Sequence, residues 1–354
     1  MSNPKLQEQS SGDASTNVQA GTIVINQGPT CQDVRNIAMD IFRANSLQLS
    51  ERAATVASAR AQEILEKFLS KLQAREPDAI KSLETPGMQY ALFSAQKDCA
   101  RTGDKDLESL LVDILVDRAT SEERSLQQIV LDEALTVAPK LNADQMDILT
   151  ANFILLETVN NGIRSRAELW GYLDSHLVPF LGGIQATDSC YRHLEYAGCC
   201  SIAVFRGDRR IEQICLLNHP GLFMKGFSED DWNRQFAAGE DSSLARTLLM
   251  PCLSDVTTLQ INATDVNVLS DECQRVGVSP DHATKLENLF NRQKMQPYDV
   301  KPLILEARPN LEVLFTAWHS QLSKLTATTV GTAIAQANFR RRTGEKLDLA
   351  TWVN

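Results

Sequence analysis

Along most of this chain apolar residues recur at intervals of three and four, the spacing that places them on one face of a helix. Val34, Ile37, Ala38, Ile41 and Phe42 define the first such stripe, and Thr30 precedes it with Asp33 three positions on, a capping-box-like start. A longer stripe, Ala53, Ala57, Ala61, Ile64, Leu65, Phe68 and Leu72, predicts a helix opened by Ser50 and closed before Pro77. Its first half is all alanine, which permits close approach of a partner helix. Further helices are predicted over 80–84, 89–101, 104–118, 121–137 and 142–158, with Asn160-Asn-Gly162 as a stop. In 104–118, Val112 and Val116 widen a stripe of Leu107, Leu110, Leu111, Ile114 and Leu115, so that helix is expected to be buried. Glu122 and Glu123 are read as first-turn residues of the next helix, where acidic groups favour the dipole. Beyond the stop, helices are predicted over 169–181, 187–196, 230–236, 265–276, 282–292, 300–307 and 311–325, and a Thr-rich lead enters a last helix that runs through Arg342.

Two regions break this texture. Residues 16–19 and 22–26 are short β-prone segments joined through Ala20-Gly21, and Gly28-Pro29 ends them. A two-stranded ribbon buries too little to stand alone, so pairing with another chain is attractive. Val18, Gln19, Ile23 and Ile25 are its candidate self-association residues, with Ala53, Ala57 and Ala61 of the alanine face beside them. The second break comes at 201–205 and 211–217, read as two strands around Gly207-Asp208, with 259–262 as a further strand. The expected fold is mainly α: a helical bundle body, a short N-terminal β-hairpin and a small β-containing insert at about 201–262. The expected divisions are a disordered tail over 1–14, the ribbon over 15–29, a helical domain over 30–163 and a mostly helical domain over 164–354.

With 354 residues the chain exceeds what one typical core supports, which is why two domains are expected. Its 35 basic and 45 acidic side chains leave a net charge of −10, disfavouring nucleic acid or an anionic membrane as a partner for the whole surface. There is no apolar signal-like start and no long apolar run, so a cytoplasmic protein without membrane spans is expected. Its 8 cysteines, irregularly spaced, are then expected to be reduced.

Chemistry-bearing patterns are sparse. Cys190 and His193 lie three apart, Cys199 and Cys215 follow, and together they are the most metal-like set, yet paired Cys-x2-Cys spacing is lacking. Core packing is the weightier reading of those thiols, because free cysteine is among the most buried residue types. No phosphate loop, nucleophile elbow, His-Glu-x-x-His or complete dinucleotide fingerprint occurs, so no cofactor is expected and catalysis is disfavoured. A hydrolase built on a Cys/His pair stays as an alternative. Arg340, Arg341 and Arg342, with Lys346 beyond them, form one basic cluster that could meet phosphates. A helix C-terminus carrying cations that complement the dipole explains it more simply.

Ser15-Thr-Asn-x-Gln-Ala-Gly-x-Ile-x-Ile25, followed by Asp33-Val-Arg-x-Ile-Ala-x-Asp-Ile-Phe42, resembles the start of an uncharacterised bacterial protein family with a Gln-Ala-Gly ribbon before a helical body. His193-Leu-Glu-Tyr-Ala-Gly-Cys-Cys200, the segment from Thr328 to Asn338 and the closing run from Leu347 to Val353 are similar to its later parts. Thr22-Ile23 departs from the Arg-Asp that related ribbons often carry. The resemblance brings no activity with it and tilts expectation toward bacterial stress or phage-defence signalling. The leading expectation is a non-catalytic, self-associating interaction, sensor or scaffold protein: a homo-oligomer, with a protein partner possible. A nucleic-acid-binding regulator acting through the arginine cluster is the first alternative.

Overall fold

The computed structural model describes residues 30–45, 51–121, 123–184, 187–203, 209–236 and 239–353. The predicted tail and ribbon, with Val18, Gln19, Ile23 and Ile25, lie outside the described residues. What is described is mainly α-helical.

Helix α1 (Cys31–Asn45) starts at the expected cap: the Thr30 amide donates to Asp33 Oδ2 at 2.9 Å, and the Asp33 amide donates to Thr30 Oγ1 at 3.2 Å. Helix α2 (Glu51–Arg75) buries Ala57, Ala61, Ile64, Leu65, Phe68, Leu69 and Leu72, close to the stripe read from its sequence. A 3-10 segment, Pro77–Glu84, leads into α3 (Pro86–Thr102), which Thr85 caps and Gly103 ends with φ 68, a left-handed conformation that glycine adopts without strain. Then come α4 (Lys105–Thr120), α5 (Leu126–Val137) and α6 (Ala143–Glu157); α6 opens on a reciprocal Asn142–Gln145 capping box. Beyond them lie α7 (Arg166–His176), α8 (Asp188–Tyr196), β1 (Cys200–Ile202), α9 (Ile211–Asn218), α10 (Glu229–Gln235) and α11 (Glu240–Arg246). The chain continues through β2 (Leu249–Pro251), β3 (Leu259–Ile261), α12 (Val266–Val276), α13 (Pro280–Gln293), α14 (Pro297–Ala307) and α15 (Glu312–Ser320), and closes on β4 (Leu325–Ala327) and α16 (Thr329–Thr343).

The main core gathers residues from Val34 to Val353, so both ends of the described chain contribute to it. Helix α16 lies against α4, α5 and α6. It is covered on every side, from Gly331 through Arg340, and α4 is nearly so. Close approach is a matter of side-chain size: a Cβ on Gly331 would stand 1.9 Å from the Cys199 carbonyl oxygen. A smaller core joins Met224, Phe227, Trp232, Leu286, Leu289 and Phe290, with Trp232 and Phe236 stacked at 3.9 Å. Each fully buried Leu or Phe contributes roughly 1.5–3 kcal/mol, so the stripes supply the driving force for these layers.

Several expectations are corrected. Residues 211–217 form helix α9, not a strand; Ile211 and Ile214 are its buried positions, three apart, and a short apolar run carries both periods at once. The described strand β1 therefore pairs elsewhere: Cys200, Ser201 and Ile202 lie antiparallel to Ala327, Thr326 and Leu325. The Thr-rich lead into the last helix is that second strand. Within the insert β2 pairs antiparallel with β3, and Phe227 makes a further antiparallel bridge to Leu259. Ser121 ends α4, its amide donating to the Arg118 carbonyl, and Ser125 caps α5 instead, which removes Glu123 from a helical first turn. The helix read over 311–325 is shorter, because a 3-10 turn at Leu322–Lys324 hands the chain to β4.

Candidate functional site

The sequence of α1 has more apolar positions than α2 can cover. Val34, Ala38 and Met39 go into the core, while Ile37 remains 43% exposed. On α3, Gln89, Leu92, Phe93 and Gln96 fall at intervals of three and four and share a face. Between the two helices lies a cavity of about 280 Å³ that Leu83 and Glu84 of the 3-10 segment also line. Val34, Ile37, Ala38, Ile41, Leu92 and Phe93 give it an apolar wall. That volume is near the lower end of the range for small-molecule sites.

The walls are held in place by contacts behind them. Arg35 on α1 makes a bidentate pair with Glu66 on α2, both N–H···O distances being 2.7 Å. The Glu66 carboxyl falls below its ordinary pKa because Arg35 hydrogen-bonds to it. Phe42 packs on Ala57 and Ala61, with Phe93 and Ala100 of α3 alongside. Close approach at the alanine face is thus realised within the chain: Ala57 and Ala61 are buried under α1 and α3, and Ala53 is exposed. This corrects the expectation that the whole alanine stripe is open for another copy.

The polar residues of the lining are Glu84, Gln89 and Gln96. Gln89 donates an amide hydrogen to the Leu83 carbonyl at 3.2 Å, and Gln96 donates one to the Ala61 carbonyl, also at 3.2 Å. Gln96 is fully buried, and its Oε1 has no hydrogen-bond partner among the described residues. Such an atom carries a desolvation cost of about 1–3 kcal/mol. Glu84 is exposed, and among the described residues no lysine, arginine or histidine lines the cavity.

The metal-like residues are not brought together. Cys190 is half-buried, with its Sγ near Thr187 Oγ1; His193 is exposed on α8 and its Nδ1 accepts from Gln145 Nε2 at 2.9 Å. Cys199 is buried beside Gly331, and Cys215 lies on α9. Burial pushes the Cys199 thiol to about 11 and the Cys215 thiol to about 12, opposing the thiolate that a metal or a nucleophilic reaction needs. Among the described residues no three His, Cys, Asp or Glu side chains are grouped to hold a metal ion.

The basic cluster faces inward more than outward. Arg340 is 6% exposed and bridges α16 to α4: it reaches both Asp117 oxygens at 2.8 and 2.7 Å, and its Nε lies 3.1 Å from Asp113 Oδ1. Burial works against this guanidinium's charge, yet Asp117 and Asp113 hold its pKa above the ordinary arginine value. Arg341 pairs with Asp106 and donates to Asn338 Oδ1 at 2.9 Å. Arg342 donates to the Pro179 carbonyl and lies over the Phe180 ring at 5.5 Å. Lys346 alone of the four is a plain exposed cation. Three of the four residues expected to meet phosphates therefore already have partners in this fold.

A protein-family model described as “:-like” matches residues 28–353. No curated protein matches, and no solved structure matches. Among the described residues no helix is long and apolar enough to cross a membrane.

Proposed function

The chain belongs to the family whose model covers residues 28–353, and on that premise we propose that it is a non-catalytic interaction or sensor protein whose recognition element is the groove between α1 and α3. That family description carries no activity, so the reading rests on geometry. The single observation that carries it is the combination of an apolar cavity with Ile37 exposed at its wall. Apolar lining with a few fixed polar groups is the usual make-up of a binding site, and exposed apolar side chains gathered at one cavity mark interaction surfaces. Self-association through residues 15–29 belongs to the same reading, as the means by which occupancy of the groove would be passed on.

The experiment is binding of a neutral apolar probe, n-hexanol, to the full chain, followed by methyl NMR. Wild type should show saturable binding. Ile37→Asp should weaken it at least about tenfold, since a charge would then have to be desolvated beside the apolar probe. Because Ile37 is exposed, this substitution should leave thermal stability within about 0.5 kcal/mol. Equal binding by the variant would remove the groove as the recognition element.

A further inference from the structure

We propose that the groove between α1 and α3 is the seat of the chain's own residues 22–26, Thr-Ile-Val-Ile-Asn, and that Ile23 and Ile25 are the side chains it receives. The seat deepens the recognition reading above, on which it rests: a ligand and the segment exclude each other from one cavity. Chain length, spacing and charge all point to this occupant.

The chain is long enough. Thr30 is fixed at the start of α1 by its cap with Asp33, so the segment leaves the helix one turn before Val34, where the cavity wall begins. At about 1.5 Å per residue, Ile37 lies about 10 Å and Ile41 about 16 Å along α1 from Thr30. At up to about 3.5 Å per residue, the chain from Thr30 back to Ile25 spans about 17 Å and that back to Ile23 about 24 Å. A segment running back along α1 can therefore bring Ile25 to Ile37 and Ile23 to Ile41, with chain to spare for the turn. Gly28 and Pro29 are residue types that chain reversals use.

The spacing agrees. Ile23 and Ile25 share one side of an extended run, about 7 Å apart, and Ile37 and Ile41 are about 6 Å apart on one side of α1. Ile37 lines the cavity and is 43% exposed, so this wall keeps apolar surface in water. A two-stranded ribbon buries too little to stand alone, and leaning one face on α1 and α3 supplies the missing burial. Its strand edge is then left for pairing with another copy. A ligand that enters the groove unseats the ribbon, which is how occupancy would reach the assembly.

Charge agrees as well. No Asp, Glu, Lys or Arg occurs from Ala14 through Gln32, in a chain where those residues make up 23%. Such a run can be desolvated against Val34, Ile37, Ala38, Ile41, Leu92 and Phe93 without stranding a charge. About 280 Å³ suits aliphatic side chains from one strand and is too small for a whole helix. Tethering favours the chain's own segment over a free one, because a short linker holds the occupant at an effective concentration in the mM range.

The test uses the full-length protein with its Ile, Leu and Val methyl groups labelled. Nuclear Overhauser contacts are expected from the Ile23 and Ile25 methyls to those of Val34, Ile37, Ile41 and Leu92. A mixture of separately labelled chains tells one chain from two, and contacts that arise only between chains would overturn the inference. Absence of these contacts, or contacts from Leu47 or Leu49 in their place, would overturn it too. Hexanol gives the second readout. It should bind Ile23→Ser/Ile25→Ser at least about threefold more tightly than wild type, because a groove filled by the segment is open to hexanol only for the remaining fraction of the time. Both substituted positions lie outside the described body, so the body should fold alike in the two proteins. Equal hexanol affinities would overturn the seat and leave the groove standing as a recognition element. The expected methyl contacts, with hexanol binding to neither protein, would uphold the seat and overturn small-molecule recognition.

Discussion

Asp147 is a carboxylate on α6 that is 6% exposed, 3.3 Å from Asn338 Nδ2 and 3.9 Å from Arg342 Nη1. Burial raises its pKa above the ordinary value, while the Asn338 amide and the charges of Arg342 and Arg341 pull the other way. With the folded pKa above the unfolded one, the stability this group contributes is fully present below the unfolded pKa and is lost as pH rises through the folded value. Asp147→Asn should therefore raise Tm at pH 7 and have little effect below the ordinary carboxylate pKa of 3.8. Thermal melts at several pH values check this, and an unchanged or lower Tm at pH 7 would contradict it. The same scale shows why the groove was not legible in the sequence. Glu84, Gln89 and Gln96 match no motif, and they line one cavity only because α1, α3 and the 3-10 segment before α3 meet there. The spacing of Gln89, Leu92, Phe93 and Gln96 was readable as one helical face, but nothing local says that the face is left partly uncovered.

Among elements, α4 and α16 carry charge into the core. Asp113 on α4 is contacted by Lys71 at 2.6 Å, Arg75 at 3.2 Å and Arg340 at 3.1 Å, so one buried carboxylate ties α2 and α16 to the same helix. Removing one partner of a buried ion pair costs about 3–5 kcal/mol, because the other charge is left desolvated. Arg340→Met should approach about 3 kcal/mol, the lower end, since Lys71 and Arg75 still serve Asp113. Arg341→Met, whose partner Asp106 is exposed, should cost about 1 kcal/mol or less. Urea unfolding of the two variants decides the matter; equal costs would mean that Arg340 is not a tie between helices. The helices themselves were largely legible. Thr30, Asn142 and the long apolar stripes mark starts and buried faces by local chemistry. The β1–β4 pair was not, because Cys200 and Ala327 are partners across most of the C-terminal half. Helix α9 was misread because Ile211-Glu-Gln-Ile-Cys-Leu-Leu satisfies a strand's composition, and the arbiter is its packing against α14.

At the scale of the whole molecule, the account joins a folded body to an assembly function placed in residues 15–29. Light scattering on the full chain and on a form beginning at Pro29 tests that part. The expected result is a defined oligomer that falls to a lower state when residues 1–28 are removed; the same mass for both forms would separate assembly from this segment. The central claim, however, is that recognition occurs between α1 and α3. It is tested most directly by labelling the methyl groups of Ile, Leu and Val in the full chain and titrating with hexanol, in wild type and in Ile37→Asp. The account predicts saturable shifts at Val34, Ile37, Ile41, Leu83 and Leu92, lost in the variant. Shifts centred instead on Leu222, Leu253 and Val268, which line a separate cavity, or shifts that persist unchanged in Ile37→Asp, would contradict it.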